Sequence, residues 1–111
     1  MRKRATAATI AIVALVLLIP GPAQAATTVT LGDSFFAPSS KTIARGTTVR
    51  FKWIGVKRHN VKKRRGPGAG FKSRTTRARG VNYAKRFTKR GTYRLICTIH
   101  PETMRLKLTV R

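Results

Sequence analysis

The sequence predicts an all-β sandwich, and three observations carry that prediction. From Ala26 onward, apolar and polar residues alternate with the period of a half-buried strand. Turn-forming residues interrupt the alternation at short intervals. No part of this region has the spacing of an amphipathic helix. Short strands without helices bury their apolar faces by packing sheet against sheet.

The first 25 residues are set apart. Met1-Arg2-Lys3-Arg4 is a positive start, and Ile10 to Ile19 is an almost unbroken apolar run. Pro20, Gly21 and Pro22 break it, and Ala23-Gln24-Ala25 fits the small-x-small cleavage pattern. The reading is a secretory signal peptide over 1–25 and one domain over 26–111. The apolar run is short for a membrane span of about 20 residues, so removal is favoured over retention as an anchor. The domain is then expected in the periplasm, the cell envelope or the extracellular space.

Within the domain, Thr28 to Leu31 puts Val29 and Leu31 on one face, and Gly32-Asp33-Ser34 makes a turn. Phe35-Phe36 adds apolar bulk before Pro38, and Lys41 to Ile43 reads as a short strand that ends at the Arg45-Gly46 turn. Thr48 to Trp53 alternates cleanly, with Val49, Phe51 and Trp53 inward and Arg50 and Lys52 outward. The stretch from Lys57 to Gly80 differs, with ten Lys or Arg, four glycines and no acid. It reads as a long basic loop, mobile without a partner, with a short strand around Asn60-Val61. Strands resume with Val81, Tyr83 and Phe87 on one face, interrupted by Lys85. Tyr93, Leu95 and Cys97 share the next core face, and Met104, Leu106, Leu108 and Val110 the last.

Charge is the outlying property of the composition. The chain carries 25 Lys and Arg against 2 acidic residues, a formal net charge of +23. Such an excess favours anionic partners: an acidic protein, an envelope polymer or an anionic membrane surface. Nucleic acid is disfavoured, because the aromatic residues sit at core positions rather than among the basic residues as stacking platforms. The excess also costs stability through self-repulsion, which a bound metal would offset.

The chemistry is concentrated in Cys97-Thr98-Ile99-His100-Pro101-Glu102-Thr103-Met104. This stretch holds the only cysteine, one of the two histidines and one of the two methionines. A single cysteine has no internal disulfide partner, and outside the cell a free thiol is a liability unless it serves as a ligand. Thiolate, imidazole and thioether donors together select copper. Cys97 ends a strand pointing inward, two turn residues return His100 beside it, and Met104 opens the last strand on its core side. His59 is the only other histidine and must return from about forty residues upstream. Zinc is the rival metal for one cysteine and two histidines, but a methionine at the fourth position favours copper.

Gly91-Thr92-Tyr93-Arg94-Leu95-Ile96-Cys97-Thr98-Ile99-His100-Pro101 and the pair His59-Asn60 resemble the cupredoxins, the plastocyanin, amicyanin and pseudoazurin group of small blue copper proteins. The resemblance implies a Greek-key β-sandwich of about seven or eight strands. It implies one type 1 copper ion held by His59, Cys97, His100 and an axial Met104, with Asn60 tying the two ligand loops together. Two departures bear on Met104: three residues separate it from His100, and Arg105 follows it where glycine is common. Glu102 is then the alternative donor, and a site without a strong axial ligand is another.

The expected function is one-electron transfer rather than enzymatic catalysis, since Asp33 and Glu102 are the only carboxylates and form no acid–base pair. Electrons would leave through His100, with Ile99 and Pro101 as an apolar docking patch for an acidic redox partner. The protein is expected to be a monomer. Two rivals are copper delivery or storage on the same ligands, and a basic polyanion-binding module with a structural metal.

Overall fold

The computed structural model describes residues 25–111. The apolar run of the expected leader and all but the last of its residues lie outside the described residues. Eight strands form among the described residues: β1 (Ala26–Leu31), β2 (Phe36–Ala37), β3 (Ser40–Ile43), β4 (Thr47–Trp53), β5 (Lys62–Arg65), β6 (Gly80–Phe87), β7 (Gly91–Ile96) and β8 (Arg105–Val110). They build two four-stranded sheets, β2-β1-β4-β6 and β3-β8-β7-β5. The expected all-β sandwich is what the chain adopts.

The alternation in the sequence explains which faces meet. On β4, Val49, Phe51 and Trp53 are buried while Arg50 and Lys52 are exposed. On β8, Leu106, Leu108 and Val110 are buried while Arg105 and Lys107 are exposed. These faces join Val29, Leu31, Phe87, Tyr93 and Leu95 in one core that also contains Cys97 and Met104. Each large apolar side chain taken fully out of water contributes about 1.5–3 kcal/mol. Parallel pairings of β1 with β4 and of β3 with β8 complete the two sheets.

Three expectations need correction. The stretch 57–80 is not a free loop: Lys62–Arg65 forms β5 on the edge of the second sheet, antiparallel to β7. Asn60-Val61 lies outside that strand, which begins one residue later. The residues after β5 fold back on its start and the segment before it, through a bridge between His59 and Thr76 and another between Lys62 and Lys72. Gly91 has φ +142°, and a β-carbon there would come within 2.6 Å of Pro67, so the excursion packs directly on the start of β7. A run of four cations can be a strand because an edge position lets charged side chains reach water and discourages pairing with other chains.

Val81 is the second correction. It is 52% exposed, whereas Tyr83 and Phe87 turn toward the core. A bulge is responsible: Tyr83 pairs with Phe51, but Val81 pairs with Lys52, so the extra residue flips Val81 to the outer face. Lys85, read as an interruption of the apolar face, is the third. Its ammonium lies 4.6 Å from the centroid of the Phe71 ring, so its stem packs inward while the charge rests on an aromatic face.

The bulge makes a direct prediction for stability. Val81→Thr should change the unfolding free energy by less than about 0.5 kcal/mol, whereas Phe51→Ala on the inward register should cost about 3–5 kcal/mol. Chemical denaturation measures both, and a loss of about 2 kcal/mol for Val81→Thr would place that side chain in the core instead.

Candidate metal centre

The alternation of β7 runs one residue past its end, so Cys97 is buried below Tyr93 and Leu95. The chain then closes on itself. The Cys97 amide donates to the Met104 carbonyl at 3.2 Å, and the Met104 amide donates to the His100 carbonyl at 2.9 Å. These bonds bring His100 back over Cys97 and lead Met104 into the core at the start of β8.

His59 enters from the opposite side and is fully buried. Its backbone exchanges two hydrogen bonds with Thr76, at 3.0 and 3.1 Å. The indole N–H of Trp53, at the end of β4, is shared between the carbonyls of Thr76 at 3.0 Å and His59 at 3.3 Å. The His59 imidazole Nε2 faces Asp33 Oδ1 at 3.1 Å. An ionised carboxylate only accepts hydrogen bonds, so Nε2 is the donor in this contact, and Nδ1 is the ring nitrogen left facing Cys97.

Two imidazoles converge on the cysteine. His59 Nδ1 and His100 Nδ1 each lie 3.9 Å from Cys97 Sγ, and the three donor atoms all fall within 4.8 Å of one another. Sulfur and nitrogen donors bonded to a common ion at about 2.0–2.3 Å can be up to about 4.4 Å apart, a limit that both 3.9 Å sulfur–nitrogen separations meet. The thiol at 3.9 Å is also the nearest partner of the buried His59 Nδ1, too distant for a strong hydrogen bond. One thiolate and two imidazoles at this separation fit a single soft-ligand metal ion.

The other residues singled out by sequence fall as follows. Met104 is fully buried in the core cluster that contains Cys97. Glu102 is exposed and stands apart from the three clustered donors. Buried Asn60 donates to the hydroxyls of Thr75 and Thr98, both at 2.8 Å, and accepts from the Thr98 amide at 2.9 Å. It therefore joins the segment after His59 to the segment after Cys97. Ile99 and Pro101 are exposed on either side of the half-buried His100.

Sequence reasoning missed Asp33, which reads only as a turn residue and lies 26 positions from His59. Besides His59, its Oδ1 accepts the amides of Val56 and Lys57, each at 2.9 Å. The Lys57 amide first, and then the His59 ring, hold its pKa below the ordinary aspartate value, against a smaller opposing effect of burial. Gly55 permits this close approach, since a β-carbon there would collide with the Asp33 carboxylate. The one available signal was that Asp33 is one of only 2 acids in a chain of net charge +23.

Two variants test this framework. Asn60→Ala removes three hydrogen bonds from a fully buried side chain and should cost about 1–3 kcal/mol in chemical denaturation. A loss under about 0.5 kcal/mol would contradict the bridging role. Because the folded-state pKa of Asp33 is depressed, its contribution is fully present above the unfolded value of about 3.9 and is lost as pH falls through the lower folded value. The stability difference between the native protein and Asp33→Asn should therefore hold from pH ~7 to ~5 and shrink below pH ~4. A difference that grew on acidification would refute the assignment.

Known proteins share this fold. The chain superposes on the reduced state of an amicyanin mutant with a TM-score of 0.68 and 28% identity, over 78% of this chain and 82% of that one. A purple cupredoxin from Nitrosopumilus maritimus shares the fold, with a TM-score of 0.64, 23% identity, and coverage of 77% and 99% respectively. A copper-containing nitrite reductase from Thermus scotoductus matches with a TM-score of 0.68 and 28% identity over 83% of this chain, which spans only 23% of that enzyme. Among curated proteins, none shows significant sequence similarity to this chain. Residues 23–111 match the family of copper-binding proteins typified by plastocyanin and azurin. Copper is thus this protein's metal, the histidine–cysteine–histidine cluster is a group of donors that could hold it, and the chain belongs to the plastocyanin/azurin family.

Proposed function

We propose that this protein is an exported one-electron carrier. His59, Cys97 and His100 would hold a type 1 copper ion, with Met104 as a weak fourth donor. The observation that carries the reading is the placement of both imidazole Nδ1 atoms 3.9 Å from the buried Cys97 sulfur. A copper ion in such a donor set supplies a one-electron couple between Cu(I) and Cu(II). The chain's own part is to hold the donors fixed, so that either oxidation state meets nearly the same surroundings. Asp33 orients one imidazole, Asn60 locks the two ligand segments together, and the buried Met104 closes the loop from within.

Electron exit through His100 is supported by its surroundings. His100 is half-buried and lines an open groove with Ile99, Val56, Lys57, Arg58 and Arg77. Ile99 and Val56 are 46% and 62% exposed and give the groove an apolar spot beside His100 for a partner to cover. Apolar contacts ringed by cations suit a redox protein that presents a hydrophobic spot within an acidic surface. Such charge mainly raises the association rate and weakens with salt.

Adding Cu(II) to the purified protein should give intense visible absorption that Cys97→Ser abolishes; a colourless complex would rule out a copper–thiolate centre of this kind. Met104→Leu should keep the colour and change the reduction potential. Electron exchange with an acidic redox protein should slow by roughly tenfold or more between low and physiological salt. A rate indifferent to salt would remove the acidic-partner reading.

A further inference from the structure

The outer face of the β5-β7-β8 sheet carries charge in a pattern that neither core packing nor the metal centre explains. Its register sets Arg65 opposite Arg94, and Arg94 opposite Lys107. Three cations thus stand side by side on strands about 4.8 Å apart. In the next row on the same face, about 7 Å along the strands, Lys62 and Arg105 flank Ile96. Like charges placed directly opposite destabilise a sheet. Among the described residues the one carboxylate contact to a basic side chain is that of Asp33 with His59, so no carboxylate neutralises these rows.

The other sheet treats the same composition differently. Arg50 lies between Thr28 and Ala84, and Lys52 between Thr30 and Val81. Basic residues are spaced by neutral neighbours on one face and aligned on the other. Protection of an edge strand accounts for the cations of β5, but not for Arg94, because β7 is an interior strand.

The aligned cations also shape a site. Arg64, Arg65, Arg94, Arg105 and Lys107, with Ser39, line an open groove of about 520 Å³. Arginine dominates it, and the guanidinium fork binds phosphate through two parallel hydrogen bonds. No aromatic side chain lines the groove, so a nucleic-acid base has nothing to stack on. The exposed large apolar residues Phe35, Ile54, Val56, Val81 and Ile99 all lie outside it, and the apolar residues that do line it, Leu95, Ile96 and Leu106, are buried or half-buried, so none projects for insertion into a bilayer.

We propose that this groove binds a linear, base-free phosphodiester polymer, the phosphate groups meeting the two rows of cations in turn. The groove shares no residue with the surface around His100. The two surfaces meet only at the groove's end, where Arg105 donates to the Pro101 carbonyl at 2.8 Å. The inference stands independently of the electron-carrier reading.

The test is calorimetric titration of the intact protein with poly(glycerol phosphate) of fixed length across a salt series. Arg65→Gln/Arg94→Gln should weaken binding roughly tenfold and reduce the slope of log K against log salt by about 1.5–2. Arg50→Gln/Lys52→Gln, which removes the same charge from the other sheet, should change affinity by less than about threefold. Equal losses in the two variants would mean that only net charge matters and would overturn the proposal, as would no measurable binding. Tighter binding to single-stranded DNA or to phosphatidylglycerol vesicles would overturn it in favour of nucleic acid or a membrane. A separate measurement reads the cost of the alignment: Arg94→Thr should raise the melting temperature at low salt, with the gain shrinking as salt rises. A lowered melting temperature would show that the row serves the fold rather than a ligand.

Discussion

The fixing of His59 is the constraint on which the rest of the site depends. Cys97 and His100 lie three residues apart and are positioned by one short loop, whereas His59 must come from a different part of the sandwich. Its backbone is bridged to Thr76, both bridging carbonyls accept the Trp53 indole, and its ring is held by Asp33. Asn60, the next residue, anchors this segment to Thr98 beside Cys97. Without these bonds, a buried imidazole could choose its tautomer and rotamer freely, and the convergence of the donors would be left to chance. A centre whose donors are fixed in advance has little to rearrange when the charge of its metal changes.

Much of this was legible in the chain. The strict alternation of Thr47–Trp53 and Arg105–Val110 reports strands with one face in the core, because the side-chain period of a strand is two. The Cys-x-x-His spacing was equally readable, since both donors come from one loop whose closure is local. What could not be read depends on register or on distant pairing. Val81 keeps the apolar character of its strand, but a bulge between the Phe51 and Lys52 pairings moves it outside. Asp33 and Val56 reach the site through the end-to-end packing of loops, and nothing in their local sequence marks them. Lys62–Arg65 was hidden for another reason: four consecutive cations carry no apolar alternation, and the strand exists because β7 offers an open edge.

Charge acts on this protein at three scales. Over the whole chain, a net +23 opposes compaction and makes every neutralising contact worth more. At the candidate metal centre, one of the two side-chain carboxylates contacts His59 rather than any lysine or arginine. A fixed negative charge beside an imidazole strengthens it as a donor, so the position of Asp33 bears on the metal as well as on the fold. On the sheet surfaces, neutral neighbours separate the cations of one face, while register aligns those of the other.

These scales need not conflict, because the sandwich separates them in space. The ligand loops occupy one end of the two sheets, where strand termini can converge on a point without breaking any ladder. The outer faces are left to whatever side chains the register presents, since outward residues contribute little to the core. A basic face can therefore carry a cost in stability without disturbing the donors, provided the core and the bonds around His59 hold the end of the barrel rigid. The same separation explains why a mobile loop would not have served in the stretch 57–80. That segment carries His59 and Asn60 at one end and the cations of β5 in the middle, so the fold must pin it at both places.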